Sequence, residues 1–397
     1  MNKINANLKG FLSILVVAWM VVACSPVTPT PVQVPATEIP SVQPTATALP
    51  VASPTMDLSK LPVIANPSLL GFDMLDFKNG WGYTDTNLVR TEDGGVTWVD
   101  ITPSGLSSLG YSASVYFLDP LSGWVVTAAQ DFVNGTLYYT TDGGFNWTSL
   151  SVPFSGGQID FINASTGFIL VGRGAAAGSS AVDVYSTSDG GKSWTAVYVM
   201  QAGAGDNVNT LPFGGQKSGF AFLDSSNGWV GGSIPMDGFI YLYATSNGGH
   251  TWAKQTVNPP AGFETAMTEV GTPKFFSGTD GYLPVRLMKD SSTFDFFTTH
   301  DGGVTWSSTK PIAGDGKYSI VSKEDIIVWD GGQYLHVSHD AGLSWNSILT
   351  NVNVVDTLMK FDFVDALTGW MLTGDATNHY IFYKTVDGGA TWTVLIP

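Results

Sequence analysis

One octapeptide recurs seven times between residues 91 and 392, and this repetition restricts the fold more than any other property of the chain. The copies read TEDGGVTW (91–98), TTDGGFNW (140–147), TSDGGKSW (187–194), TSNGGHTW (245–252), THDGGVTW (299–306), SHDAGLSW (338–345) and TVDGGATW (385–392). Their third position is Asp93, Asp142, Asp189, Asn247, Asp301, Asp340 and Asp387, at intervals of 49, 47, 58, 54, 39 and 47 residues. A short carboxylate accepts backbone N–H groups across a tight turn. Glycine supplies the positive φ that a hairpin demands. The closing Trp98, Trp147, Trp194, Trp252, Trp306, Trp345 and Trp392 are expected to pack where the outer strand meets the next repeat. Asn247 argues for a structural role, because an amide makes the same hydrogen bonds but is a poor acid or nucleophile. A period of 40–50 residues with a hairpin in each copy means a β-propeller.

A second element precedes most copies: FKNGW (77–81), FLDPLSGW (117–124), FINASTGF (161–168), FLDSSNGW (222–229), FSGTDGY (276–282) and FVDALTGW (363–370). The sixth copy, at 320–329, is degenerate. Each repeat then reads as four strands. Strand A ends at the Phe, strand B starts at Gly-Trp, strand C runs into the octapeptide, and strand D leaves from its Trp. The expected fold is all-β: a seven-bladed propeller of four-stranded antiparallel blades over 63–397. Closure is expected through complete blades, with 61–66 a candidate extra strand.

The octapeptide resembles the Asp-box, or BNR repeat. Together with the Phe-x-Asp-x-x-x-x-Gly-Trp element it resembles the photosystem II assembly and stability factor family of seven-bladed propellers, over about 330 of the 397 residues. The resemblance implies a non-catalytic scaffold that holds client proteins. Photosynthetic members of the family use a basic patch. This chain departs from that feature, with a formal charge of −16 and three arginines, Arg90, Arg173 and Arg286.

The first sixty residues read as an address. Lys3 and Lys9 precede the apolar run FLSILVVAWMVV (11–22), too short to span a bilayer comfortably and right for a signal peptide. The run leads into VVAC, which resembles a bacterial lipobox ending at Cys24, the sole cysteine. The expected organisation is a lipoprotein signal peptide at 1–23, a lipidated Cys24 with a disordered Pro/Thr-rich linker to 62, and the propeller beyond. Residues 25–54 hold eight prolines and one charge, Glu38, the composition of an extended tether. The expected location is extracytoplasmic, on the membrane of a bacterium, through the lipid.

The acidic balance excludes nucleic acid as a partner, since phosphate binding needs cationic side chains. A single cysteine excludes an internal disulfide and a thiolate zinc site. No cofactor or metal is expected, and the chain is expected to be a monomer. A–B and C–D turns are short and uniform, so binding is assigned to the other face. Its long connections are 172–181, 201–218, 231–239, 257–273 and 284–294, from neighbouring blades 3, 4 and 5. They carry Arg173, Asp206, Asn207, Met236, Asp237, Phe239, Glu264, Glu269, Arg286, Lys289 and Asp290 as candidate partner-binding residues. The leading expectation is a protein client. The alternatives are glycan binding, favoured by exposed Tyr111, Phe239 and Phe263, or a sialidase-like glycoside hydrolase. No Phe-Arg-Ile-Pro start motif and no paired-carboxylate motif supports the hydrolase.

Overall fold

The computed structural model describes residues 60–397 apart from 107, 110–112, 177, 202–208 and 315–316. The signal segment, Cys24, nearly all of the linker, Tyr111, Asp206 and Asn207 lie outside the described residues. The described chain is made of strands in antiparallel meanders.

The first sheet holds β1 (Gly71–Met74), β2 (Gly80–Tyr83), β3 (Leu88–Thr91) and β4 (Val99–Asp100). The second holds β5 (Ser114–Phe117), β6 (Gly123–Ala128), β7 (Gly135–Thr140) and β8 (Thr148–Val152). The third holds β9 (Gln158–Phe161), β10 (Gly167–Ala176), β11 (Ser179–Thr187) and β12 (Thr195–Val199). A nine-stranded sheet follows. It contains one meander of β13 (Gln216–Phe222), β14 (Gly228–Ser233), β15 (Tyr241–Thr245) and β16 (Ala253–Lys254). After β17 (Met267–Val270) comes another, of β18 (Lys274–Phe275), β19 (Gly281–Met288), β20 (Ser292–Thr299) and β21 (Ile312–Ala313). Strand β17 joins the two, pairing along β19 and touching β14 at Ser233–Glu269. The last two sheets are β22 (Tyr318–Ile320), β23 (Ile326–Trp329), β24 (Tyr334–Ser338), β25 (Asn346–Leu349), and β26 (Leu358–Phe363), β27 (Gly369–Gly374), β28 (Tyr380–Thr385), β29 (Thr393–Ile396). Each four-strand meander is called a unit below. Residues 61–66 do not form a full strand. Val63 bridges Val99, and Ile64 N donates to Trp98 O, on the outer edge of the first sheet.

Two of the segments expected as long loops are largely strand, and a third holds one short strand. Residues 172–181 lie mostly in the β10–β11 hairpin, which runs on past a register shift between Gly172 and Ala175. Residues 284–294 belong to β19 and β20, whose turn is only 289–291. Their half-buried Arg286 stands between buried Val285 and Leu287. Period-two alternation is the mark of a strand, and the charges hid it. Residues 257–273 contain β17.

The core lies between consecutive units, in seven apolar clusters. The aromatic residue ending strand A organises them. Phe161 stacks on Trp124 of the preceding unit at 3.6 Å and meets its own unit's Trp194 edge-on at 6.0 Å. Phe222 repeats this between Phe168 at 3.5 Å and Trp252 at 6.2 Å. The octapeptide tryptophans therefore seal against the preceding unit, not the next one. Trp98 shares a cluster with Trp370, Leu372 and Phe382 of the last sheet, and Trp252 with Phe168, Leu170 and Val184 of the third. The reason is that strand D leaves the turn on the side of the preceding sheet, which only the three-dimensional twist reveals.

Candidate functional site

The seven octapeptide turns share one hydrogen-bond scheme. Asp93 Oδ1 accepts from Thr97 N at 2.8 Å and Val96 N at 3.1 Å, while Thr91 Oγ1 donates to it and accepts from Gly95 N. The amide four residues on donates in the same way to Asp142, Asp189, Asn247, Asp301, Asp340 and Asp387. Hydrogen bonds from Ser193 and Thr305 hold Asp189 and Asp301 down to about 2. All the acceptor capacity of these side chains points into their own turns. The indole N–H groups of Trp98 and Trp194 donate to Gly95 O and Gly191 O, and Trp147 and Trp345 donate to Ile101 O and Lys310 O. Those of Trp252, Trp306 and Trp392 have no partner.

The A–B turns use a second acceptor. Asp76, Asp119, Asn163, Asp224 and Asp365 each take the N–H groups two and three residues on. Ser277 and Ser322 do the same, so the degenerate sixth copy keeps the turn with a hydroxyl.

At the opposite end, part of the expected partner-binding set comes together around β17. Thr268 Oγ1 donates to Phe239 O, and Gly238 N to Ala266 O. Glu269 lies opposite Arg286 in the β17–β19 register, and Arg286 Nε donates to Ser292 Oγ at 2.7 Å. Lys289 Nζ reaches Gly262 O at 3.0 Å, and the Glu264 carboxylate accepts from Gly262 N. Met236 and Asp237 stand exposed on the β14–β15 connection, and Asp290 on the β19–β20 turn. Arg173 sits apart on the β10–β11 hairpin, 3.4 Å from Asp183. The ammonium of Lys254 caps the Phe239 ring at 4.1 Å, and Phe263 packs on the core between the fourth and fifth units. Lys254 thus covers one face of Phe239, and Phe263 is partly buried.

Sequence reasoning missed the centre. The first strands of the units approach one another along β5–β9, β9–β13, β22–β26 and β26–β1. The residue just before the end of each first strand is Asp73, Tyr116, Asp160, Ala221, Lys274, Ser319 or Asp362. Five of these side chains reach the backbone of the next unit. Tyr116 Oη donates to Phe161 O and Lys274 Nζ to Ile320 O. Asp160, Ser319 and Asp362 accept from Phe222 N, Phe363 N and Met74 N. Burial raises Asp160 to about 6 against the pull of the Phe222 N–H bond. Burial and the nearby Asp73 charge also raise Asp362, against the opposing pull of Lys360. Burial lowers Lys360, but Asp73, at 2.9 Å, and Asp362 outweigh it and hold the ammonium above its ordinary value.

Two hollows open beside this centre at the hairpin end. One, of about 580 Å³, lies between the first and second units and is lined by Phe72, Trp81, Tyr83, Leu109 and Val115. The other, of about 510 Å³, is lined by Glu269, Pro284, Arg286, Phe294 and Tyr318. Lys360 borders both.

No family model matches the chain, and no curated protein matches it. Solved structures do. YCF48 from Cyanidioschyzon merolae is 18% identical, with 83% of this chain and 96% of that chain covered and a TM-score of 0.51. Oligogalacturonate lyase from Vibrio parahaemolyticus is 9% identical, covering 82% and 91%, at a TM-score of 0.53. An ulvan lyase of polysaccharide lyase family PL25 is 10% identical, covering 84% and 96%, at 0.51. The fold is a β-propeller. At these identities the likeness speaks to architecture, since one propeller frame carries unrelated functions. The propeller places its uniform turns at one end and the two hollows bordered by Lys360, with the β17 patch, at the other.

Proposed function

We propose that this chain is a lipid-anchored, extracytoplasmic seven-bladed propeller that holds a protein client on its hairpin end without catalysing a reaction. The observation that carries the reading is the pair of hollows sharing Lys360, each lined by both apolar and charged residues. An extended polypeptide presents both kinds of group along one surface. The packed states of Phe239 and Phe263 weigh against a sugar platform at those positions. Seven blades are supported by the four-strand meanders, two of them inside the nine-stranded sheet. Ring closure is supported by Met74 N to Asp362, Trp370 Nε1 to Gly94 O and Lys360 to Asp73, which tie the last sheet to the first. The lipid anchor rests on the lipobox-like VVAC at Cys24, and the tether on residues 25–54.

Cross-linking in native cells, affinity purification and mass spectrometry test the reading. The comparison strain carries Asp237→Ala, Glu269→Ala and Arg286→Ala. One membrane or secreted complex recovered with the wild type and lost from the variant is the expected result. Recovery of nothing beyond a Cys24→Ala control, with retention on a glycan array, would overturn it in favour of glycan binding.

A further inference from the structure

Units that follow one another in sequence are joined by the chain that leaves one and enters the next. The first and last units lie at opposite ends of the sequence and meet without such a connection. Their seam is held by Met74 N to Asp362, by Trp370 Nε1 to Gly94 O and by the Lys360–Asp73 pair. Phe72 and Trp98 of the first unit also pack edge-on against Phe382 of the last, at 4.9 and 5.9 Å. A contact between the most distant parts of a chain bears the largest loop-closure cost. This seam is therefore the one that most needs help from outside the two sheets.

Connections elsewhere do more than join two units. They lie along the octapeptide of the unit they enter. Asn209, between the third and fourth units, accepts from Trp252 N. Lys310, between the fifth and sixth, donates its N–H to Gly342 O and accepts from the Trp345 indole. Asn351, between the sixth and seventh, donates its N–H to Ala390 O and accepts from Trp392 N. At the first unit this place is taken by residues 62–64, which follow no preceding unit. Ile64 N donates to Trp98 O at 2.9 Å, Asp100 N donates to Pro62 O at 2.8 Å, and Val63 bridges Val99.

The apolar residues of this segment reach both flanks of the first unit. Leu61 packs in the cluster shared with the second unit, beside Tyr138 and Trp147. Ile64 packs in the seam cluster, with Trp98, Trp370 and Phe382. Residues of opposite parity on an extended chain face opposite ways, which is how one short run serves both clusters. Val63, between them, is exposed. The chain then passes Asn66, in the left-handed region at φ 47°, and buries Leu69 in the same seam cluster before β1 begins.

We infer that residues 61–69 are a strap that closes the seam between the last and first units, standing in for the connection this seam lacks, and that releasing the strap opens the seam while junctions spanned by a connection stay closed. The strap adds two main-chain hydrogen bonds along the outer edge of the first sheet and two side chains, Ile64 and Leu69, to the seam core. Openings of this kind are local and precede global unfolding. The inference stands apart from the client-holding reading, since it concerns how the frame is held shut and not what it holds.

The test is hydrogen exchange on the full chain, read by mass spectrometry at single amides. Three amides make a matched set, because each donates to the axial side chain of the preceding unit. Met74 N donates to Asp362 at the seam, Phe222 N to Asp160 between the third and fourth units, and Phe363 N to Ser319 between the sixth and seventh. Ile64→Asp, which puts a charge into the seam core, is expected to speed exchange at Met74 at least tenfold and to leave Phe222 and Phe363 within twofold. Val63→Asp, at the exposed position of the same segment, is expected to leave all three within twofold. Should Ile64→Asp not fold, Ile64→Ala takes its place, with at least a threefold increase expected at Met74 alone. Unchanged exchange at Met74, equal acceleration at all three amides, or an effect of Val63→Asp as large as that of Ile64→Asp would each overturn the strap. Client recovery from cells is read separately, so loss of the client with the exchange pattern intact counts against the scaffold reading and not against the strap.

Discussion

Asp160→Asn should stabilise this protein at neutral pH, although it removes a hydrogen-bonded carboxylate from the axis. Asp160 has an ordinary value of 3.8 and is raised to about 6 by burial, so the folded protein holds its proton more tightly than the unfolded chain. The folded state binds the extra proton between these two values. Stability therefore falls as pH rises from about 4 to about 6 and stays lowered above that. The difference of about two units corresponds to about 3 kcal/mol. The side chain is partly exposed, and solvent screening reduces the figure to about 1–2 kcal/mol. Asparagine keeps an oxygen for the Phe222 N–H, now 2.6 Å away, and removes the buried charge. For a body of about 330 residues the melting entropy is about 0.7 kcal/mol per kelvin, so the expected gain is about 1.5–3 °C. Differential scanning fluorimetry at pH 7.5 and pH 4 reads it. A gain at pH 7.5 that shrinks by at least half at pH 4 is expected. A loss at pH 7.5, or one gain at both pH values, would refute the argument.

Three more expectations follow from the same geometry. Asp93→Ala leaves the Val96 and Thr97 amides without their acceptor and should cost about 1–3 kcal/mol in urea unfolding, whereas Asn247→Asp should stay within about 0.5 kcal/mol. The Lys217 ammonium donates to the carbonyls of Ser180, Pro212, Phe213, Gly214 and Gly215. Lys217→Met should lower stability in urea unfolding by about 1–3 kcal/mol, and 100 mM potassium should restore part of that loss. Arg90 Nη1 donates to Gly143 O at 3.0 Å while the buried Trp81 indole N–H has no partner; Arg90→Met frees that carbonyl, so the Trp81 indole proton should exchange more slowly with solvent, read by proton–nitrogen NMR.

The repeated turn was legible because its chemistry is local. Four to eight residues carry the acceptor, the glycine and the hydroxyl, and they work alike in every copy. Strand order followed from the same spacing. The long hairpins were harder. In 172–181 the chain offers glycine, alanine and serine where β-branched residues would signal a strand, and pairing with β11 supplies the structure instead. Strand β17 was hidden for a different reason: it belongs to no repeat. The axial residues were also hidden, since Asp73, Tyr116, Asp160, Ala221, Lys274, Ser319 and Asp362 share a position but no chemistry. Aligning the repeats on the aromatic that ends strand A and reading one residue back would have found them. The direction of the octapeptide tryptophans was not readable at all, because it depends on twist between sheets.

Each four-strand meander is contiguous in sequence, and the last sheet meets the first through side chains rather than a borrowed strand. Spatial order therefore follows sequence order around the sheets, and no strand marks where the chain starts. Ile64, ahead of the first unit, and Ile396, in the last strand, pack into one cluster. A gene rearranged to begin at β5, with a short linker joining the old ends, would encode the same set of sheets with its ends moved by one meander. In such a frame the position of the chain ends is a free variable, independent of the contacts that hold neighbouring sheets together.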